Sequence, residues 1–150
     1  MLSDDRVIRQ ITNVRSERAY DFWLKSFSQN LSEHWCSKMR RKLPYGPGRK
    51  LTNLLMKQVV LWSRLDDEQR TRLISFLHVP FDKYSLTVLR NCIPDAYRPT
   101  VGTIPKEPSM KFVDNEAKYD ALMALASEIA EEAGLPPIYL DVLAWDQSHA

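Results

Sequence analysis

Long apolar runs are missing from this chain of 150 residues. None approaches the ~20 residues that a membrane-spanning helix needs, so no membrane partner is expected and the protein reads as soluble. The first residues, Met1-Leu2-Ser3-Asp4-Asp5, are acidic and carry no apolar signal core, which argues against secretion and for a cytoplasmic setting. Cysteine is scarce, with only Cys36 and Cys92. Two thiols cannot build the four-thiolate cage of an iron-sulfur cluster. In a reducing compartment they are expected as two buried free thiols rather than a disulfide. The three histidines, His34, His78 and His149, have no ligand spacing, so neither a metal nor another cofactor is expected. Strand-like alternation, internal repeats and low-complexity tracts are lacking as well.

Helical spacing is what remains, and it runs nearly the whole length of one all-α domain, residues 1–150. A short helix is expected over residues 3–13 with Ser3 as N-cap, and a longer helical region over 16–42. That region places Tyr20, Leu24, Phe27, Leu31, Trp35 and Met39 on one stripe, with a break near Asn30 and a recap at Ser32. Pro44 stops it, and Gly46, Pro47 and Gly48 form a permissive turn into the next helix. This helix should reach Arg64 with Leu51, Leu54, Leu55, Val59 and Trp62 as its core stripe. Asp66 and Gln69 read as a capping pair that opens a return helix to Leu77. Pro80 keeps the following residues extended, and Asp82 is placed to cap a helix through Asn91. Residues 94–111 hold four prolines and Gly102 and are expected as the longest irregular connection. Leu122, Leu125 and Ile129 mark a helix ended by Gly134, and Pro136-Pro137 opens the last one.

The net charge of +2 hides an asymmetry. Residues 1–50 carry 11 basic and 5 acidic side chains, whereas residues 115–150 carry 1 and 7. The densest basic cluster is Lys38, Arg40, Arg41 and Lys42, which suits contact with several phosphates. A solvated helix end accounts for the same cations, because they also complement a helix C-terminus.

Directly after this cluster stands Leu43-Pro44-Tyr45-Gly46-Pro47-Gly48-Arg49-Lys50-Leu51-Thr52-Asn53. The pattern of Leu-Pro, Gly-x-Gly, Arg-Lys and an asparagine three residues on resembles the helix-hairpin-helix DNA glycosylase superfamily. Two later segments, Val79-Pro80-Phe81-Asp82 and the run from Gly134-Leu135-Pro136-Pro137 to Asp141-Val142-Leu143-Ala144-Trp145, are similar to blocks of its archaeal 8-oxoguanine branch. The resemblance covers about residues 43–93 and 115–146. It implies a compact helical fold with a helix-hairpin-helix element, a nucleophilic lysine at Lys50 and a catalytic aspartate at Asp82. It also implies phosphate contacts at Gly46, Gly48 and Arg49, and a base pocket containing Asp141 and Trp145.

The chemistry fits those residue types. Breaking an N-glycosidic bond develops positive charge on the sugar, which a carboxylate stabilises, and an amine can then capture C1′. A free lysine amine, with a pKa near ~10.4, is mostly protonated at neutral pH, so its site must desolvate it or surround it with cations; Arg49 and Lys57 are near in sequence. A helix out from Lys50 to Arg64 travels roughly 21 Å and a return helix from Asp67 to Leu77 recovers roughly 15 Å at ~1.5 Å per residue; the extended residues from His78 to Phe81 supply most of the remainder at ~3.3 Å per residue, which lets Asp82 come back beside Lys50. Asp141 and Trp145 lie four residues apart and share a helix face, a carboxylate and an aromatic plate for an extruded base. Where the archaeal branch has a phenylalanine one turn after the lysine, this chain has Leu54, so a base sandwich is lost and room opens for a bulkier base.

The expectation is therefore a monomeric enzyme acting on DNA with a modified base, either a damaged purine or a bulky cytosine such as the glucosylated hydroxymethylcytosine of some phage DNA. The alternative is a non-catalytic helical module that binds nucleic acid or protein through the basic cluster. A wholly structural helical protein is the third reading.

Overall fold

The structure is a computed structural model that describes residues 5–61 and 65–149. Ser3 and the stretch from Trp62 to Arg64 lie outside the described residues. Eight α-helices and no strand form among those described. No helix among them is long and apolar enough to cross a membrane.

Helix α1 spans Asp5–Thr12 and α2 spans Glu17–Met39. The Ser16 hydroxyl caps α2 by accepting the Ala19 amide at 3.2 Å. The expected break near Asn30 does not occur. Asn30 and Ser32 are only mildly unfavourable inside a helix, and Leu31 is buried between them. Tyr20, Leu24 and Phe27 are also buried, but Met39 is 49% exposed, because the last turns of α2 run past the core. The helix closes at Arg40, which takes a left-handed φ of 51° and returns its amide to the Cys36 carbonyl at 3.0 Å.

Helix α3, Tyr45–Val60, begins earlier than the glycine pattern predicts. Gly46 and Gly48 belong to its opening turns, and the positive-φ glycines are instead Gly102 and Gly134. The hairpin reading of Gly46-Pro47-Gly48 is thus corrected: residues 40–44 make the connection, and both glycines are buried. Gly46 is required for close approach, since a Cβ there would collide with the Met110 carbonyl oxygen and lie 2.6 Å from that of Val113.

Asp66 and Gln69 form the expected capping box on α4, Asp67–Phe76. Asp82 caps α5, Lys83–Cys92. Residues 94–111 are less irregular than expected, with a tight turn at Asp95–Tyr97 and the one-turn helix α6, Arg98–Val101; another tight turn follows at Met110–Phe112. Asn115 caps α7, Glu116–Glu132, and Gly134 with φ 67° follows it. Two successive tight turns that accept on the Pro136 and Pro137 carbonyls lead into α8, Tyr139–His149.

Two buried clusters result. Ile11, Tyr20, Leu24, Met56, Val59 and Leu73 anchor one, built on α1 to α4. Phe81, Leu86, Leu89, Tyr119, Leu122 and Leu125 anchor the other, built largely on α5 and α7. The extended residues 77–82 pass between them, with Leu77 in the first cluster and Val79 and Phe81 in the second. The buried face of α3 is Thr52, Asn53, Met56, Val59 and Val60, which rotates the expected stripe and leaves Leu54 38% exposed. Two polar residues can face inward because both are bonded there; Thr52 Oγ1, for one, donates to the Gly48 carbonyl at 3.0 Å. Cys36 and Cys92 are exposed rather than buried, one on the overhanging end of α2 and the other on the last residue of α5.

The two opening glycines of α3 should differ in tolerance. Gly46→Ala should destabilise by at least ~1–3 kcal/mol, because the atoms it meets are backbone. Gly48→Ala meets only the Leu43 side chain at 3.3 Å and gains helix propensity, so it should be nearly neutral in denaturant unfolding. A neutral Gly46→Ala would contradict this packing.

Candidate active site

Proline before Phe81 holds residues 78–80 extended, and side chains from three helices fix where that segment lies. Asn53 Nδ2 on α3 donates to the Val79 carbonyl at 3.0 Å and to the Tyr119 hydroxyl on α7 at 2.9 Å. The Tyr119 oxygen is also 2.9 Å from His78 Nδ1, and His78 Nε2 is 2.8 Å from Asp21 Oδ1 on α2. With the ring hydrogen on Nε2 the whole chain is satisfied: the Tyr119 hydroxyl donates to Nδ1, and Nε2 donates to Asp21. Burial pushes the Tyr119 phenol above its ordinary range, so it remains a donor.

This framework brings Asp82 to Lys50. Lys50 Nζ donates to Asp82 Oδ2 at 3.2 Å, across 32 residues of sequence, with side chains only 22% and 17% exposed. The two carboxylate oxygens have separate duties. Oδ1 accepts the Tyr84 and Ser85 amides at 2.9 and 3.2 Å and so caps α5, while Oδ2 faces the amine.

A second pair lies beside the first. Lys57, two turns along α3, donates to Asp141 Oδ2 on α8 at 3.0 Å. Burial pushes the Asp141 carboxyl above the usual aspartate value; the hydrogen bond and charge of Lys57 oppose this, and the neighbouring Asp82 charge adds to it. The four charged groups therefore form one electrostatic cluster. Leu54 stands between the two lysines on the exposed side of α3. Trp145, one turn beyond Asp141, is 54% exposed. The cluster thus has an aliphatic and an aromatic neighbour open to solvent.

The remaining expected DNA contacts divide. Lys38, Arg40, Arg41 and Lys42 are exposed at the α2–α3 connection, available to phosphates. Arg49 is not: it is 5% exposed, with its guanidinium carbon 4.2 Å from the Tyr119 ring centroid. The surface role given to Arg49 is corrected, because one position before Lys50 on a helix points about 100° away, here into the interior. Gly46 and Gly48 are likewise covered. Sequence reasoning missed Tyr119 and His78, and it noted Asn53 only as part of a pattern. No group of three or more His, Cys, Asp or Glu side chains among the described residues is placed to hold a metal ion. Compared with family models, curated proteins and solved structures, the chain matches none.

The raised Asp141 pKa sets a pH signature. Its folded value exceeds the ordinary 3.8, so between those values the folded state binds more protons than the unfolded one, and stability falls as pH rises. Asp141→Asn removes that loss. Its stability relative to the unmodified protein should increase as pH rises above the ordinary aspartate value of 3.8 in denaturant titrations; a difference that stays constant with pH would contradict the assignment.

Proposed function

We propose that this protein is a DNA glycosylase with associated lyase activity, which extrudes a modified base and cleaves its glycosidic bond. The observation that supports it most is the meeting of Lys50 Nζ and Asp82 Oδ2 at 3.2 Å, an amine and a carboxylate supplied by distant parts of the chain. In this reading the exposed cations Lys38, Arg40, Arg41 and Lys42 hold the DNA backbone, and the extruded base rests near Trp145 with its edge toward Asp141. The sugar enters between amine and carboxylate. Asp82 Oδ2 stabilises the positive charge that develops as the base departs with the glycosidic electron pair. Lys50, once one of its protons has passed to the departing base, forms the bond to C1′; the ring oxygen takes a second as the ring opens to a Schiff base, from which β-elimination expels the 3′ phosphate.

For the substrate we propose a bulky modified cytosine, such as the glucosylated hydroxymethylcytosine of phage DNA, which would make the enzyme a defence factor; a damaged purine is the alternative. The exposure of Leu54 where the resembling branch has an aromatic ring favours the larger base. The row of exposed cations favours a second reading, a module that binds nucleic acid without chemistry. It predicts equal affinity for modified and unmodified DNA and no product.

Single-turnover excision on duplexes carrying either base separates these readings. Lys50→Ala should abolish strand cleavage. Asp82→Asn should retain the helix cap and slow excision on the order of 10²-fold or more. An unchanged rate in Asp82→Asn removes that residue from the mechanism, and absence of an abasic product from either duplex rejects both substrate assignments.

A further inference from the structure

A buried arginine with one unsatisfied donor marks a second site. Arg49 is 5% exposed, its Nε has no hydrogen-bond partner, and no carboxylate pairs with it among the described residues. Its guanidinium lies over the Tyr119 ring and also hydrogen-bonds that residue, which still leaves the Nε donor without an acceptor. A buried donor of this kind is costly unless something completes it. Arg49 also lines a cavity of about 380 Å³ between α2, the start of α3 and the start of α7, within the range of ~300–1,000 Å³ of small-ligand pockets. Lys25, Gln29 and Ser32 from α2, Tyr45 from α3 and Glu116 from α7 line the same space. The cavity thus offers a buried cation, a half-exposed cation at Lys25, neutral hydrogen-bonding groups and an aromatic wall. Glu116, paired with Lys25 at 2.6 Å, supplies an acceptor.

We propose that this cavity binds a small phosphorylated ligand of nucleotide type, with the phosphate on Arg49 and Lys25. A phosphate presents oxygens in the geometry a guanidinium prefers, and Tyr45 and Glu116 suit the faces and donors of a base. The site is independent of the Lys50 and Asp82 pair, and its test needs no excision activity.

The intact protein would be titrated with inorganic phosphate and with adenosine monophosphate, followed by calorimetry and melting temperature. Both probes should bind, the nucleotide more tightly. Lys25→Gln, a surface change, should weaken binding about tenfold through one lost charge-assisted contact. Arg49→Met should melt no lower than the unmodified protein without ligand, having lost an uncompensated buried charge, and should show no ligand-induced rise. No heat or melting shift from either probe at about 1 mM, or unchanged affinity in Lys25→Gln, would overturn the proposal. Displacement of the nucleotide by an unmodified DNA duplex would also overturn it, by giving the cavity to backbone phosphate.

Discussion

Asn53 holds the candidate site together. Its amide nitrogen binds the Val79 carbonyl and the Tyr119 hydroxyl at once, so one buried side chain on α3 fixes both the extended segment that leads to Asp82 and the α7 helix behind it. Lys50 lies one helical turn away on the same element. The amine's position relative to the carboxylate is thereby set by a helix and two hydrogen bonds rather than by a flexible loop. Such a bond is worth only about 1 kcal/mol net, but orphaning the groups it satisfies costs about 1–3 kcal/mol each.

The site occupies the seam between two hydrophobic clusters. Polar side chains from α3, the N-cap of α5 and α8 gather there, and helix junctions are common locations for ligand sites. Lys50 with Asp82 and Lys57 with Asp141 cross it as two ion pairs of balanced charge. Both pairs are partly shielded from water, where charged contacts are stronger than at the surface. On the proposed mechanism this balance matters: the sugar's transient positive charge replaces the lysine as partner of Asp82.

Elements bounded by strong local chemistry were legible in the sequence. Asp66 with Gln69, Asp82 as a cap, and Gly134 as a helix stop all act through neighbours within a few residues, so their roles follow from spacing. The convergence of Lys50 and Asp82 was legible too, because a helix out from Lys50, a shorter return helix and the extended residues before Asp82 together bring the chain back. What misled was burial of polar side chains. Thr52 and Asn53 face the interior and displace Leu54 outward, which apolar spacing alone reverses. Arg49, expected from the resemblance to contact phosphate, is buried on that same inward side of α3. The Tyr119, His78 and Asp21 relay joins residues 41 and 57 positions apart, and no local pattern announces it. Gly46 was recognised as necessary, but for turning rather than for the close approach of residues 110–113.

The central claim is that the Lys50 amine reaches sugar carbon in concert with Asp82. Borohydride reduction during turnover of a cleavable modified-base duplex, followed by proteolysis and mass mapping of the cross-linked peptide, tests it most directly. The account predicts a single reduced adduct on Lys50. An adduct on Lys57 or any other amine, or excision that proceeds with no adduct at all, would contradict it.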